Sequence, residues 1–172
     1  PLSKVQIAAA QVLAGGQVAT ALATCASLGL RTTYVGVFGN DANGQRMRGE
    51  LARRGVDVSN AIVRQCPNRY AVILVDETHG ERVVLWDRDV RLDLRDDEVS
   101  VETLTTTRIL HVDDVDEASS IAAATVAREA GVTVTSDIDR VTERTPELIE
   151  AVTIAMFSEH IPQALTGEPT TE

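Results

Sequence analysis

Strand-like and helix-like segments alternate through the second half of the chain, and this alternation limits the fold more than any other sequence feature. Apolar and β-branched runs at residues 108–112, 132–135 and 153–157 are predicted strands. Helical patterns at residues 119–130 and 146–152 lie between them. Parallel strands need a connection long enough to hold a helix, so this order is typical of βαβ crossovers. The sequence therefore predicts an α/β fold with a mainly parallel, Rossmann-like sheet flanked by helices.

A glycine pair opens the first predicted helix. Gly15 and Gly16 follow an apolar segment, residues 5–14, whose pattern fits either a strand or a buried segment. A helical pattern then runs from Gln17 to Leu28. Glycine lets backbone N–H groups approach a ligand closely, and a helix N-terminus adds partial positive charge. The pair therefore predicts either a tight turn or a loop that binds a small polar or anionic molecule.

Two strand-like runs in the middle of the chain predict a β-hairpin. Residues 69–75 and 81–86 are β-branched and apolar, and the turn-rich residues 76–80 separate them. Before them, the pattern predicts a strand over residues 32–38 and a helix from Ala42 to Gly55. Because the hairpin does not alternate with helices, we expect it to form a separate small sheet, a lid at about residues 69–88.

The composition excludes several classes of partner. The 172 residues carry a formal net charge of −10, which argues against nucleic acid and anionic membrane surfaces. We find no apolar run of membrane-spanning length and no basic-then-apolar leader, so we expect a cytoplasmic protein. The two cysteines form neither a disulfide framework nor a metal motif. No Walker loop or Gly-x-Gly-x-x-Gly dinucleotide fingerprint is present.

Acidic residues follow each of the three late strands. They are Asp113, Asp114 and Asp116, then Asp137 and Asp139, then Glu159. Ligands bind at the carboxyl ends of the strands in open α/β sheets. Carboxylates there could accept hydrogen bonds from sugar hydroxyls or hold Mg²⁺ through water. Some could instead cap the helices that follow, and both interpretations stay open.

Spaced glycines recur in residues 15–21 with the helix up to Gly29, in residues 35–44 and, after Leu51, in residues 55–57. Together these segments resemble the N-terminal signature of the ribokinase-like (phosphofructokinase-B) carbohydrate kinases. The hairpin resembles the lid of this family, and residues 136–139, 157–159 and 165–167 look like later landmarks. The resemblance covers nearly the whole chain and implies a ribokinase-like α/β fold with a small β lid.

This resemblance implies ATP-dependent transfer of phosphate to a sugar hydroxyl, with ATP and Mg²⁺ as cofactors. The loop at Gly15 and Gly16 would hold the sugar through backbone groups, and the lid would cover it. Gln17 and Thr20 occupy positions that face the sugar in the family.

The resemblance also assigns roles to three charged residues, and a fourth is a candidate without an assigned role. Arg88 stands where some members that act on acidic sugars place an arginine, and the alternative for it is a solvated charge. Asp114 occupies a position that can touch the sugar, and Asp137 is a further candidate. Glu159 lies in the acidic motif that organises Mg²⁺ and phosphate.

The chain also departs from the family pattern. Thr20 stands where the family often has asparagine, and Ser158 and Ile161 replace the usual asparagine and glutamate of the Mg²⁺ motif. The Gly-Ala-Gly-Asp motif, which supplies the catalytic base and the anion hole, does not occur in residues 1–172, nor does the first strand with its sugar-binding aspartate. We therefore expect residues 1–172 to be one partial, truncated domain without the C-terminal nucleotide-binding part. The base would lie beyond residue 172, and this stretch would be inactive alone.

A non-catalytic sugar-binding or signalling α/β domain is the alternative function. Paired acids after a strand superficially resemble receiver domains, but those need a lysine near the acidic pocket, and the only lysine is Lys4. For the kinase, the expected partner is a small-molecule sugar. If the hairpin is exposed and apolar, through Val72, Leu74, Val83 and Leu85, we expect a homodimer through the lid.

Overall fold

A computed structural model describes residues 6–168 of the chain. The helices are α1 (Gln17–Ser27), α2 (Ala42–Arg53), α3 (Val101–Thr106), α4 (Glu117–Glu129), α5 (Thr145–Ala151) and α6 (Ile161–Thr166). The strands are β1 (Thr32–Thr33), β2 (Val37–Gly39), β3 (Val56–Asp57), β4 (Ile62–Arg64), β5 (Tyr70–Val75), β6 (Arg82–Asp87), β7 (Ile109–Asp113), β8 (Thr133–Ile138) and β9 (Ile154–Phe157). Two short 3₁₀ turns, Val90–Leu92 and Asp96–Glu98, lead from β6 to α3.

A parallel sheet of order β7-β8-β9 organises the carboxyl-terminal part, residues 99–166. The inward side chains of β8 are completely buried, and the buried residues of α4 and α5 pack in the same cluster. This confirms the predicted crossovers. The predicted second strand ended too early, because β8 continues to Ile138 and therefore contains Asp137.

Short paired strands build the amino-terminal part, residues 17–64. β1 pairs with β3 and β2 with β4, both in parallel. The prediction of one continuous strand over residues 32–38 is wrong. The Tyr34 ring folds over Gly36 there, so that a Cβ at Gly36 would lie 2.7 Å from the tyrosine hydroxyl oxygen. β3 and β4 have only two and three residues, too few for a detectable periodicity.

Residues 6–14 are exposed and form neither helix nor strand, so the expectation of a strand or a buried segment is wrong for them. Residue 5 lies outside the described residues. An apolar run is buried only where a facing surface covers it, and none of the four sheets of residues 6–168 includes this segment.

The predicted hairpin is confirmed. β5 and β6 pair antiparallel along their whole length, from Tyr70 opposite Asp87 to Val75 opposite Arg82. Every residue of both strands is exposed. The hairpin is therefore an apolar ribbon that packs into neither of the two buried clusters of the described chain.

Candidate active site

An open groove lies where the amino end of α1, the β1–β2 connection, the hairpin and the carboxyl end of β7 come together. Polar residues that line it include Gln17, Tyr34, Arg69, Arg88, Asp113 and Asp116. The groove also includes Gly15 and Gly16. The structure thus brings the predicted glycine loop, Arg88 and two strand-end acids to one place.

The backbone conformation of the glycine loop requires a glycine at position 16. Gly16 is the N-cap residue of α1 and has φ 111°, which strains any residue with a Cβ. Its carbonyl oxygen accepts a hydrogen bond from the Thr20 amide at 2.9 Å, which starts the helix. No atom outside the adjacent residues lies within 4 Å of a Cβ built on Gly15. The loop therefore exposes backbone beside a helix N-terminus, as a small polar ligand requires.

Gln17 links this loop to the carboxyl-terminal sheet. Its side-chain amide donates to the carbonyl oxygen of Asp137 at 3.5 Å. Asp137 itself is partly buried. Thr20, the other residue expected to face the sugar, is exposed and does not line the groove.

Arg88 fastens the base of the hairpin to the loop before α4. It bonds to the Asp116 carboxylate, to Asp93 Oδ1 at 2.5 Å and to the carbonyl oxygen of Leu92 at 3.0 Å. Its side chain is only 16% exposed, so Arg88 is an ion-paired residue and not a solvated charge. Asp116 stands at the N-cap of α4 but makes no capping bond, since its carboxylate bonds to Arg88.

Asp113 places a carboxyl group of unusual pKa in the groove. Burial, together with the nearby Asp114 and Asp116 charges, raises the pKa of Asp113 to about 6. The hydrogen bond that its Oδ1 accepts from the Val115 amide at 3.0 Å, and the charge of Arg69, oppose this rise. Burial, with the Asp113 and Asp116 charges, raises the pKa of Tyr34 to about 12. The groove thus contains a neutral phenol and a carboxyl group that titrates near neutral pH.

Asp114 is buried behind the groove and does not line it. Its Oδ2 accepts hydrogen bonds from the backbone amides of Asp139 at 3.1 Å and Arg140 at 2.9 Å. The carboxylate therefore shapes the loop after β8. Its expected contact with the sugar stays a prediction, and Asp113 and Asp116 are the acidic residues of this loop that reach the groove.

Glu159 is exposed between β9 and α6. Among residues 6–168, no three histidine, cysteine or acidic side chains converge as a metal site. The role of Glu159 in organising Mg²⁺ stays a prediction.

Sequence reasoning missed two groove residues, Tyr34 and Arg69. Both lie at predicted strand positions, where an aromatic residue normally indicates core and an arginine normally indicates a solvated edge. Arg69 places its guanidinium carbon 5.7 Å from the centre of the Trp86 ring. No motif in the sequence distinguished either residue.

The described helices include none that is both long and apolar enough to cross a membrane.

The fold is that of the ribokinase-like kinases. A provisionally assigned ribokinase from Agrobacterium tumefaciens superposes with a TM-score of 0.88 at 27% identity, covering 99% of this chain and 56% of the other. A fructokinase from Xylella fastidiosa gives a TM-score of 0.80 at 20% identity, covering 97% and 57%. These similarities confirm the predicted fold class.

Residues 3–172 match the model of the pfkB family of carbohydrate kinases, and the chain belongs to this family. An ATP-dependent ribose-1-phosphate kinase from Halopiger xanaduensis is 28% identical over 126 residues, which are 73% of this chain and 43% of that protein. An uncharacterized sugar kinase from Archaeoglobus fulgidus is 31% identical over 85 residues, 49% of this chain and 34% of that protein. The chain thus spans about a third to a little over half the length of these relatives.

Proposed function

We propose that the protein transfers a phosphoryl group from ATP to a hydroxyl group of a sugar. The groove carries this proposal, because in a chain of the pfkB family it combines a glycine-led helix N-terminus with the acidic residues Asp113 and Asp116. Backbone amides and carboxylates are suitable partners for sugar hydroxyls, which both donate and accept hydrogen bonds.

The proposed roles follow the chemistry of each group. Gly15 and Gly16 contact the sugar through their backbone, and Gln17, which lines the groove and whose amide also bonds to β8, faces the sugar beside them. Thr20, Arg88 and Asp114 keep the sugar-binding roles that the family pattern assigns to them. Neither Thr20 nor Asp114 lines the groove of the described residues, so these two roles require a sugar that reaches beyond that groove.

Phosphoryl transfer depends mainly on positioning and on stabilisation of charge. ATP would supply the phosphoryl group, and Mg²⁺ would neutralise charge on its phosphates. The contribution of the described residues is to bind and orient the acceptor.

Phosphorylation assays on the full-length protein test the proposal. ADP formation is measured with ribose, fructose and ribose 1-phosphate; the last is included because the name of the Halopiger relative identifies it as an acceptor. Gly16→Ala strains a residue with φ 111°, and we expect it to lower kcat/KM at least about tenfold. Gly49→Ala in α2 is the control, because a Cβ there meets no atom within 4 Å. Sugar binding without ADP formation would favour the non-catalytic alternative.

Residues 1–172 expressed alone are expected to show no ATP-dependent sugar phosphorylation, because they lack the Gly-Ala-Gly-Asp motif that carries the base in the family. Turnover by this stretch in the same assay would contradict that expectation. Localisation to the cytoplasm likewise stays a prediction.

The hairpin is the proposed contact between two copies of the protein. Its side chains are apolar and exposed on both faces, and Val72 lies opposite Leu85 in the ribbon. A monomeric mass of the full-length protein in solution would overturn this proposal. The double variant Val72→Asp/Leu85→Asp should dissociate the dimer, whereas Val101→Asp, at an exposed position of α3, should leave the mass unchanged.

A further inference from the structure

Arg64, at the end of β4, makes a largely buried ion pair outside the groove. Its Nη2 bonds to both carboxylate oxygens of Glu98, with a distance of 2.6 Å to Oε1. The two side chains are only 20% and 12% exposed. A guanidinium group that is bonded to both oxygens of a carboxylate has a fixed orientation. The other end of the Arg64 guanidinium is therefore held in one position.

That other end fastens the turn at residues 91–93 to β4. Arg64 Nη1 donates to the backbone carbonyl oxygens of Arg91 and Asp93, the second at 2.8 Å. Arg91 Nη1 in turn donates to the carbonyl oxygen of Gln65 at 2.8 Å. Three hydrogen bonds thus hold the turn against the end of β4. Leu92, in the middle of the turn, is buried and lines the groove.

Arg88 holds the same turn and extends the contacts to the groove. Asp93 bonds to both arginines, because its carbonyl oxygen accepts from Arg64 and its carboxylate accepts from Arg88. Arg88 also bonds to the carboxylate of Asp116, which lines the groove on the loop before α4. The Asp116 carboxylate makes no capping bond to α4, so its position depends on Arg88. A continuous set of bonds therefore links β4 to Asp116.

We infer that Arg64 is a positioning residue for Asp116 and acts through the turn and Arg88, an inference that rests on the proposed kinase function. In that function Asp116 is a partner for a sugar hydroxyl. The sugar also contacts the glycine loop, which lies at the amino end of α1. By fixing Asp116 relative to the amino-terminal part, Arg64 holds the two sides of the groove in the one geometry that fits the sugar.

The kinetics of Arg64→Gln test this role in the full-length enzyme. The acceptor is whichever of ribose, fructose and ribose 1-phosphate gives the highest kcat/KM. We expect the KM for this sugar to rise about tenfold and kcat to change less than about twofold, because a displaced Asp116 weakens sugar binding. Glu98 keeps its bonds from the Arg95 amide and guanidinium in this variant. A merely structural role would reduce the amount of folded enzyme, which lowers the apparent kcat and leaves KM unchanged.

A matched control breaks a similar ion pair away from the groove. Arg53 also bonds to both carboxylate oxygens of a glutamate, Glu50, on the exposed side of α2. Arg53→Gln removes the same charge and should change neither KM nor kcat by more than about twofold. An equal rise in KM from both variants would overturn the inference.

A double-mutant cycle tests whether the effect of Arg64 passes through Asp116. If it does, Arg64→Gln should change KM less than about twofold in an enzyme that already carries Asp116→Ala. A rise in KM that remains tenfold in that background would overturn the inference, and so would a loss in kcat without a change in KM.

A measurement without substrate separates failure of this inference from failure of the kinase proposal. The ¹³C NMR signal of the Asp116 carboxyl carbon is recorded in the full-length protein without sugar or ATP. We expect Arg64→Gln to shift this signal and Arg53→Gln to leave it in place. If no sugar is phosphorylated, the kinase proposal fails, and the shift still supports the positioning of Asp116 by Arg64. A signal that Arg64→Gln leaves unmoved overturns the inference, whether or not the protein phosphorylates a sugar.

Discussion

The two α/β parts of the chain are built from similar elements but are held together differently. In the carboxyl-terminal part, a three-stranded sheet and its helices enclose twelve buried apolar residues. In the amino-terminal part, the strands have only two or three residues, and the core contains only four buried apolar residues. Close backbone contact supplements that small core, because Gly44 in α2 lies directly against the carbonyl group of Gly39. Buried apolar side chains are therefore the main source of stability in the carboxyl-terminal part. In the amino-terminal part, the close approach of two backbone segments at glycines contributes more.

The largest expected effect compares one core leucine from each part. Leu148 in α5 is fully buried in the large cluster, and Leu51 in α2 is 2% exposed in the small one. Removing a buried leucine side chain typically costs 2–5 kcal/mol, more where the surroundings cannot collapse. We expect Leu148→Ala to lower the free energy of unfolding by about 4 kcal/mol and Leu51→Ala by about 2 kcal/mol. Urea denaturation of the two variants and of wild type measures this, and equal losses would break the comparison.

The next largest expected effect is the pH-dependent contribution to stability of Asp113, which lies between the two parts. Its folded pKa of about 6 exceeds the ordinary value of 3.8, so the folded chain retains a proton that the unfolded chain releases. Its contribution to stability is therefore present below about pH 4 and is lost as the pH rises to about 6. Asp113→Asn should raise the free energy of unfolding at pH 7 by about 1–3 kcal/mol relative to wild type, with little gain at pH 4.

Denaturation of both proteins at several pH values gives this difference directly, and an NMR titration of the Asp113 carboxyl carbon gives the pKa. A gain from Asp113→Asn that is the same at pH 4 and pH 7 would contradict the assignment.

Two glycines of α2 test the backbone contact of the amino-terminal part. A Cβ at Gly44 would collide with the Gly39 carbonyl group, so Gly44→Ala should cost about 1–3 kcal/mol. Gly49→Ala in the same helix has open space and should stabilise the chain by up to about 1 kcal/mol, because alanine favours the helix. Thermal or urea unfolding compares the two, and effects of the same sign would refute the explanation.

The smallest effect concerns the start of α2. Asp41 caps this helix by accepting a hydrogen bond from the Gly44 amide at 2.9 Å. Asp41→Ala should cost about 1 kcal/mol, whereas Asp41→Asn, which can accept the same bond, should cost only a few tenths. Denaturation of the two variants is the measurement. An equal loss from both would show that the charge of Asp41 matters more than its capping bond.

The same contrast explains how far the sequence could be interpreted. The late strands have four to six residues and alternate with helices, so their pattern predicted a parallel sheet. The prediction of one strand over residues 32–38 failed, because the chain changes its partner from β3 at Thr33 to β4 at Val37, and local pattern does not report such a long-range pairing. For the site, the glycine loop and the acidic strand ends could be found. The burial of Asp114 could not be predicted from the sequence. Side chains of adjacent residues in a strand point to opposite faces, and the pattern did not indicate whether Asp113 or Asp114 faces the groove.

The ion pairs of Arg88 with Asp93 and Asp116 anchor the hairpin at its base. The hairpin strands extend six residues from that point, about 20 Å at the usual rise of a strand, and no residue of either strand is buried. A rotation of the hairpin by about 10° about this anchored base would therefore move its tip by about 3–4 Å. Such a movement would widen or narrow the groove, which residues of β5 line, without repacking either hydrophobic cluster.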